Sequence, residues 1–432
     1  DGKGWRFTLR ENVKFASGNP MTAEDVKWSM DRGLHLGDQT SQYISHVDRT
    51  EIVDAKTVEI TLERATPFFI QLMAHQTALP INKASFEKNG PDFVKPGKMV
   101  SNGAFQLVDH VLNDHLTVGK NPNYWDAANV KLDKVIFYPL EDDAAAVRRF
   151  EAGELDTVYN FSADQIERLR KSWGDQVHVT PALATYYYAF DTRTEPFNDV
   201  RVRNALSMSV DRDFLAKEIY SGAQLPTYSL VPPGLATYGE PSKAAFADMS
   251  QLDRDDKAVA LMKEAGYGPG GKPLNIEIRY NTNANHERVA TAVADMWKKA
   301  FGANVTLMNL DVSSHYAYLQ EGGKFNVARA SWFADYADAE NFLALNVSSN
   351  KTFNYGHYNN PEYDALMKKS YDERDPAARS KILHAAEALL TRDEPIASLM
   401  NSANIWLISK RIKGWGDNPT NEHLSKYLSL AE

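Results

Sequence analysis

Two rhythms of apolar positions run through the chain, and each predicts a different element. Trp5, Phe7 and Leu9 alternate with Arg6, Thr8 and Arg10, the period of a half-buried strand. Alternation returns at Thr57 to Glu63 ("TVEITLE"), in the hairpin-like pair "NGAFQLVDH" and "HLTVGKN", and in "KVIFYPL" beyond the polar turn "NPNYWDAA". The second rhythm is helical. "MTAEDVKWSMDRGL", from Met21, has Thr22 as its N-cap, Asp25 three residues on, and Gly33 as its stop. "DDAAAVRRFEAGEL" is a helix, and Asp199 to Gly222 reads as two helices joined around "DRD". The helix "DDKAVALMKEAGY" runs into the Gly/Pro cluster "GYGPGGKP", which breaks the chain.

The region after that break says most about architecture. Pro273 to Asn281 ("PLNIEIRYN") is a strand, "TNAN" a loop, and "HERVATAVADMWKKAFG" an amphipathic helix. In that helix Val289, Ala292, Val293, Met296, Trp297, Ala300 and Phe301 recur at spacings of three and four. "NVTLMNL" is the next strand, which completes a βαβ unit and predicts locally parallel sheet in an α/β protein. A second unit follows: the strand "FNVARASWF", a loop, and a helix around "DAENFLALN". Open parallel sheets take ligands at the carboxyl ends of their strands. The loop before His286 and the loop Ala334 to Ala337 both sit at such ends, so they are expected to face one crevice.

Composition narrows the class. The 432 residues exceed one ordinary core, so two or three domains are expected. No apolar run reaches the roughly 18 residues of a membrane span. A net charge of −9 argues against a nucleic-acid partner. The absence of cysteine removes disulfides, thiolate metal sites and cysteine nucleophiles together. The 20 tyrosines and 8 tryptophans suit either a large core or a ligand cleft, because each offers a broad face with a polar edge. The chain opens inside a strand without a leader peptide, so further residues are expected in front.

Candidate chemistry concentrates in Val327 to Leu343, "VARASWFADYADAENFL". Arg329 stands within the strand, on a face assigned also to Phe325, Val327 and Ser331. A buried guanidinium needs an anion, either a ligand carboxylate or a structural acid. Asp335 lies just past the strand end beside Tyr336, where it either takes a ligand ammonium or caps the next helix, a role Asp338 could share. His286, at a strand-to-helix junction, either adds a donor to an anion site or is a surface cap. Trp332, on the opposite strand face, is either core or a platform for a ligand side chain. Signs of catalysis are lacking: there is no HxxxH or HxH spacing, GxSxG elbow or phosphate loop. Ser314-His315 near Asp311 is adjacency without a triad's geometry, and Glu151 and Glu154 fall on a charged helix face.

The segment "FTLRENVKFASGNPMTAEDVKWSM" resembles the signature region of extracytoplasmic solute-binding proteins of the peptide/nickel class (bacterial family 5), which feed ABC importers. The likeness continues through "NPNYWDAANVKLDKVIFYPL", "TYYYAFDTRTEPFNDVRVRNALSMSVDRD", "FNVARASWFADYADAENFL" and "YNNPEYDALM". Within the family the chain is most similar to the periplasmic oligopeptide-binding proteins of Gram-negative bacteria. This resemblance implies an α/β, two-lobed periplasmic-binding-protein fold of type II with an extra domain, mixed sheets and a ligand cleft between the lobes. Residues 1–83 would be the extra domain, 84–183 with 403–432 lobe I, its N-terminal strand segment missing, and 184–402 lobe II.

The resemblance further implies a monomeric periplasmic receptor, not an enzyme, without cofactor or metal. Its partners would be a short peptide or similar zwitterion and the membrane subunits of a permease. An aspartate matching Asp335 holds the ammonium in this family; an arginine matching Arg329 and a histidine matching His286 meet the carboxylate. Trp332, Phe333, Tyr43, Asn160 and Tyr187 fall on positions that line the cleft or its side-chain pockets. The chain departs from the oligopeptide binders at Gln320, where they have an arginine, and near Ser313, where they have a tryptophan. Receptors of the same fold for an opine, a sugar conjugate or a metal chelate stay open, as do, more distantly, a hydrolase and a chaperone or adhesin.

Overall fold

The structure, a computed structural model, describes residues 2–36 and 43–431. The chain divides into two compact units. Unit 1 comprises residues 1–159, 407–417 and 422–432, and unit 2 comprises 160–406 and 418–421. The domain border expected at 183/184 falls inside a continuous strand of unit 2, Val177–Phe190.

In unit 1 the predicted alternations form two small antiparallel sheets. Strand β1 (Gly4–Thr8) pairs with β3 (Thr57–Leu62), which also pairs with β2 (Val47–Asp54). Further on, β4 (Phe105–Val111), β5 (His115–Lys120) and β6 (Lys134–Phe137) form a meander. Helix α1 (Ala23–His35) begins as expected, with the Thr22 N–H donating to Asp25 Oδ2 at 3.0 Å. Gly33 does not stop it. A Cβ there would lie 2.6 Å from Ile44 Cδ1, so this glycine serves close packing inside the last turn. Helix α2 (Asp143–Glu151) starts at Asp142, which accepts from the Ala144 and Ala145 N–H groups.

Unit 2 is built on a sheet whose strands run β9-β8-β10-β7-β11, with β7 (Val177–Phe190), β8 (Asn275–Asn281), β9 (Asn304–Leu310), β10 (Val327–Phe333) and β11 (Ile396–Ile408). The predicted βαβ order holds: β8 is parallel to both β9 and β10, whereas β7 lies antiparallel to β10. The sheet is therefore mixed. Between Asp199 and Gly222 lie α3 (Val200–Met208) and α4 (Arg212–Phe214), the latter continuing into a π-helical turn at Leu215–Ile219. The buried Arg212, first residue of α4, is satisfied largely by carbonyls, including those of Thr227 and Ser398. Helix α5 (Gln251–Glu264) precedes the Gly/Pro break.

Helix α6 (Ala284–Phe301) buries the predicted stripe of Val289, Val293, Trp297 and Phe301. Burial of each such side chain stabilises the fold by about 2 kcal/mol. The helix starts two residues before the expected boundary, because the Asn283 side chain caps it at the Asn285 N–H; His286 thus lies in its first turn. The left-handed Gly302 (φ 65°) ends it, a conformation glycine adopts without cost. Four further helices complete the parts used below: α7 (Val312–Gln320), α8 (Glu340–Leu343), α9 (Pro361–Asp372) and α10 (Pro376–Asp393).

Candidate ligand-binding site

Strand β10 sorts its side chains between two environments. Ala328, Ala330 and the partly buried Trp332 join a core cluster with Tyr187, Phe342, Leu343 and Tyr363. Arg329 and Ser331 face the other way, opposite Tyr188 and Tyr186 of β7 in the antiparallel register. Phe325, expected on the arginine face, lies before the strand starts and belongs to the core cluster instead.

Arg329 is 7% exposed. Its Nη1 donates to Asn281 Oδ1 (2.9 Å) and to the Tyr316 hydroxyl (3.0 Å), and its Nη2 to Ser331 Oγ (3.0 Å). Its guanidinium stands 4.7 Å from the Tyr186 ring centre. These partners are all neutral, and Nε, although buried, has none. Among the described residues no carboxylate pairs with it. Burial works against the charge, but the phenol oxygens of Tyr316, Tyr186 and Tyr220 outweigh that effect and hold the guanidinium's pKa above its ordinary value.

The surrounding groups add no negative charge at neutral pH. Tyr186 is pushed up to about 12 by burial. Tyr188 and Tyr220 rise for the same first cause. The His286 ring lies 5.5 Å from that of Tyr186, and its buried Nδ1 has no partner. Burial, then the charge of Arg329, pushes its pKa well below 6.5, so it is neutral. His315, fully buried on α7, meets the Arg329 carbonyl oxygen through Nε2 at 2.9 Å, and its Nδ1 too is unpartnered. Burial is the main reason its pKa falls to about 4. With the hydroxyls of Tyr186 and Tyr188, buried polar atoms without partners gather around one uncompensated positive charge. Buried polar groups are ordinarily bonded, so this cluster is chemically prepared for an anion.

Past the end of β10 the character reverses. Asp335 is half-buried in the loop to α8; its N–H donates to Asn341 Oδ1 at 3.1 Å, and Asn341 Nδ2 stands 3.4 Å from its Oδ2. It does not cap α8, whose N-cap position is Ala339 and whose Glu340 N–H bonds instead to Asp338 Oδ1. Trp332 donates through Nε1 to the same Asn341 Oδ1 (2.8 Å) and meets Phe353 edge-on at 4.8 Å. Strand β10 thus carries a fixed cation, and the loop that follows it an acid.

The other predicted positions distribute unevenly. Phe333 ends β10 and is 42% exposed. Asn160, exposed and left-handed (φ 59°), is anchored by its N–H to the Ile405 carbonyl. Tyr187 is buried in the core, on the face opposite Arg329. Tyr43 belongs to unit 1, where it stacks on His75 at 4.3 Å. Asn281, Tyr186, His315 and Tyr316 complete the surroundings of Arg329; of these only His315 was noted in the sequence, and then as a catalytic coincidence, not as a neighbour of Arg329. His315 and Tyr316 lie on α7, the helix that also carries the departures at Ser313 and Gln320. Asp311, next to Ser314-His315, caps that helix by accepting from the Ser314 N–H. Among the described residues no group of three or more His, Asp or Glu is arranged to hold a metal ion.

Residues 1–354 match the family described as bacterial extracellular solute-binding proteins, family 5. The chain belongs to this family. Its members are binding proteins of transport systems, so the fold and the binding class follow together. Among its relatives is the periplasmic murein peptide-binding protein of Escherichia coli K12, 35% identical over all of this chain and 83% of the relative. The solved structure of that murein tripeptide binding protein superposes with a TM-score of 0.93, at 34% identity, covering 100% of this chain and 88% of that one. The oligopeptide-binding protein of Haemophilus influenzae, solved with the peptide RPPGFSPFR, gives 0.91 at 31% identity with the same coverage. A probable deoxycholate-binding periplasmic protein of Escherichia coli K12 is 32% identical over 99% of this chain and 83% of its own length.

Proposed function

We propose that the chain captures short peptides by both ends in the periplasm and delivers them, as a monomer, to the permease of an ABC importer. The observation that carries this reading is the buried Arg329, charged and without an acid, on the strand that leads to Asp335. The guanidinium's fork suits a terminal carboxylate, with His286 and His315 as neutral companions. Asp335 suits the terminal ammonium. The ligand's main chain bonds as an added strand would, and bridging water lets varied side chains share one site. Unit 2, which contains Arg329, His286 and Asp335, is the lobe that reads the ends.

The test is titration of the protein with one short peptide in three forms: free, N-acetylated and C-amidated. The free form is expected to bind best, with each cap costing at least tenfold. Equal affinity for the free and N-acetylated forms removes Asp335 from the reading. The deoxycholate-binding relative favours a second reading, an acid that lacks an amine. That reading predicts sensitivity to the loss of Arg329 and indifference to Asp335→Asn.

A further inference from the structure

Asp335 projects from a loop, and a loop carboxylate holds an ammonium well only if something fixes its direction. We infer that Asn341 is the positioning residue of the amine site, acting through Asp335 and not by touching the ligand. This rests on the peptide reading above. Asn341 is 4% exposed, and its amide is divided between two tasks. The oxygen accepts from both Trp332 Nε1 and the Asp335 N–H, tying the end of β10 to the loop beyond it. The Nδ2 group donates to Asp335 Oδ2 at 3.4 Å, engaging one of the two carboxylate oxygens.

The pedestal under Asn341 is itself fixed. Its own N–H donates to the Asp338 carbonyl (3.1 Å). Asp338 receives both Nη groups of Arg379 at 2.8 and 2.9 Å in a buried pair. The neighbouring Glu340 accepts from the hydroxyls of Tyr336 (2.5 Å) and Tyr371 (2.7 Å). A buried fork-to-fork ion pair and two phenol bonds leave this turn little freedom. An amide on so rigid a base, bonded to the binding acid at both its main chain and its carboxylate, transmits that rigidity to Asp335. A purely structural asparagine would serve Trp332 as well without bonding Asp335 twice.

The test measures affinity for a short peptide and its N-acetylated form in wild type, Asn341→Ala, Asp335→Asn and the double variant. Asn341→Ala is expected to lower the free-to-acetylated affinity ratio about tenfold, or about 1.4 kcal/mol, while affinity for the acetylated peptide stays within twofold. In the Asp335→Asn background the same substitution is expected to change nothing further, the non-additivity of residues acting as a unit. Asn341→Ser, which keeps a hydroxyl, is expected to lose less in the same sense and serves if the alanine variant does not fold. Equal loss for both peptides assigns Asn341 a structural role and overturns the inference, as does an unchanged ratio in whichever variant folds. If the wild type itself does not distinguish the two peptides, the peptide reading fails first, and that outcome is separable from the others.

Discussion

Replacing Arg329 by methionine, similar in length and uncharged, separates binding from folding. Without ligand the guanidinium gives up three hydrogen bonds to neutral groups, each contributing about 1–2 kcal/mol net, and its position over Tyr186. Against that loss, the burial cost of an unpaired charge disappears, several kcal/mol in the opposite direction. The two nearly offset, so the stability of ligand-free Arg329→Met is expected within about 2 kcal/mol of wild type. The bound state is different. A ligand carboxylate buried without its cation costs about 3–5 kcal/mol, a loss of roughly two to three and a half powers of ten in Kd. Calorimetric titration and thermal melts with and without peptide measure both sides. At 100 times its Kd a ligand stabilises the wild type by about 2.7 kcal/mol, and that gain should vanish in the variant. The C-amidated peptide should bind the two proteins alike. Retention of wild-type affinity for the free-acid peptide refutes the argument.

Two further expectations concern stability. His315 is neutral in the fold, with a pKa of about 4 against an ordinary 6.5, so the unfolded chain binds the extra proton. Stability is therefore lost as pH falls below about 6.5, by roughly 3 kcal/mol at pH 4, and urea unfolding of His315→Gln across that range should show a correspondingly shallower acid limb. Gly33→Ala brings a methyl to within 2.6 Å of Ile44 Cδ1. Overpacking of about 1–3 kcal/mol should exceed the roughly 1 kcal/mol gained in helix propensity. Ile44→Val removes the clashing carbon, so the double variant should melt above Gly33→Ala alone.

How far the sequence could be read depended on how each segment is buried. The βαβ unit was legible because α6 and its flanking strands each bury one face, which leaves periodicity intact. β7 and β11 were not recognised as elements, since long stretches of each are buried on both faces and show no alternation. Gly33 reads locally as a stop, but its role depends on Ile44, which lies outside the helix. Arg329, Asp335 and His286 could be singled out from residue type and from their places at strand ends. Their surroundings could not: Asn281, Tyr186, His315 and Tyr316 come from three elements, two strands and a helix, that only the fold assembles. The capping alternative for Asp335 fell away locally, because Asp338 supplies the bond at the start of α8. Family resemblance, carried by long ordered motifs, tipped the remaining choices.

The central claim is that this chain carries short zwitterionic peptides. Mass spectrometry of the small molecules released on denaturing the purified native protein tests it most directly. The account predicts a ladder of short peptides with free termini. A single non-peptide species, or a ligand without an amine, would contradict it while leaving the family and fold in place.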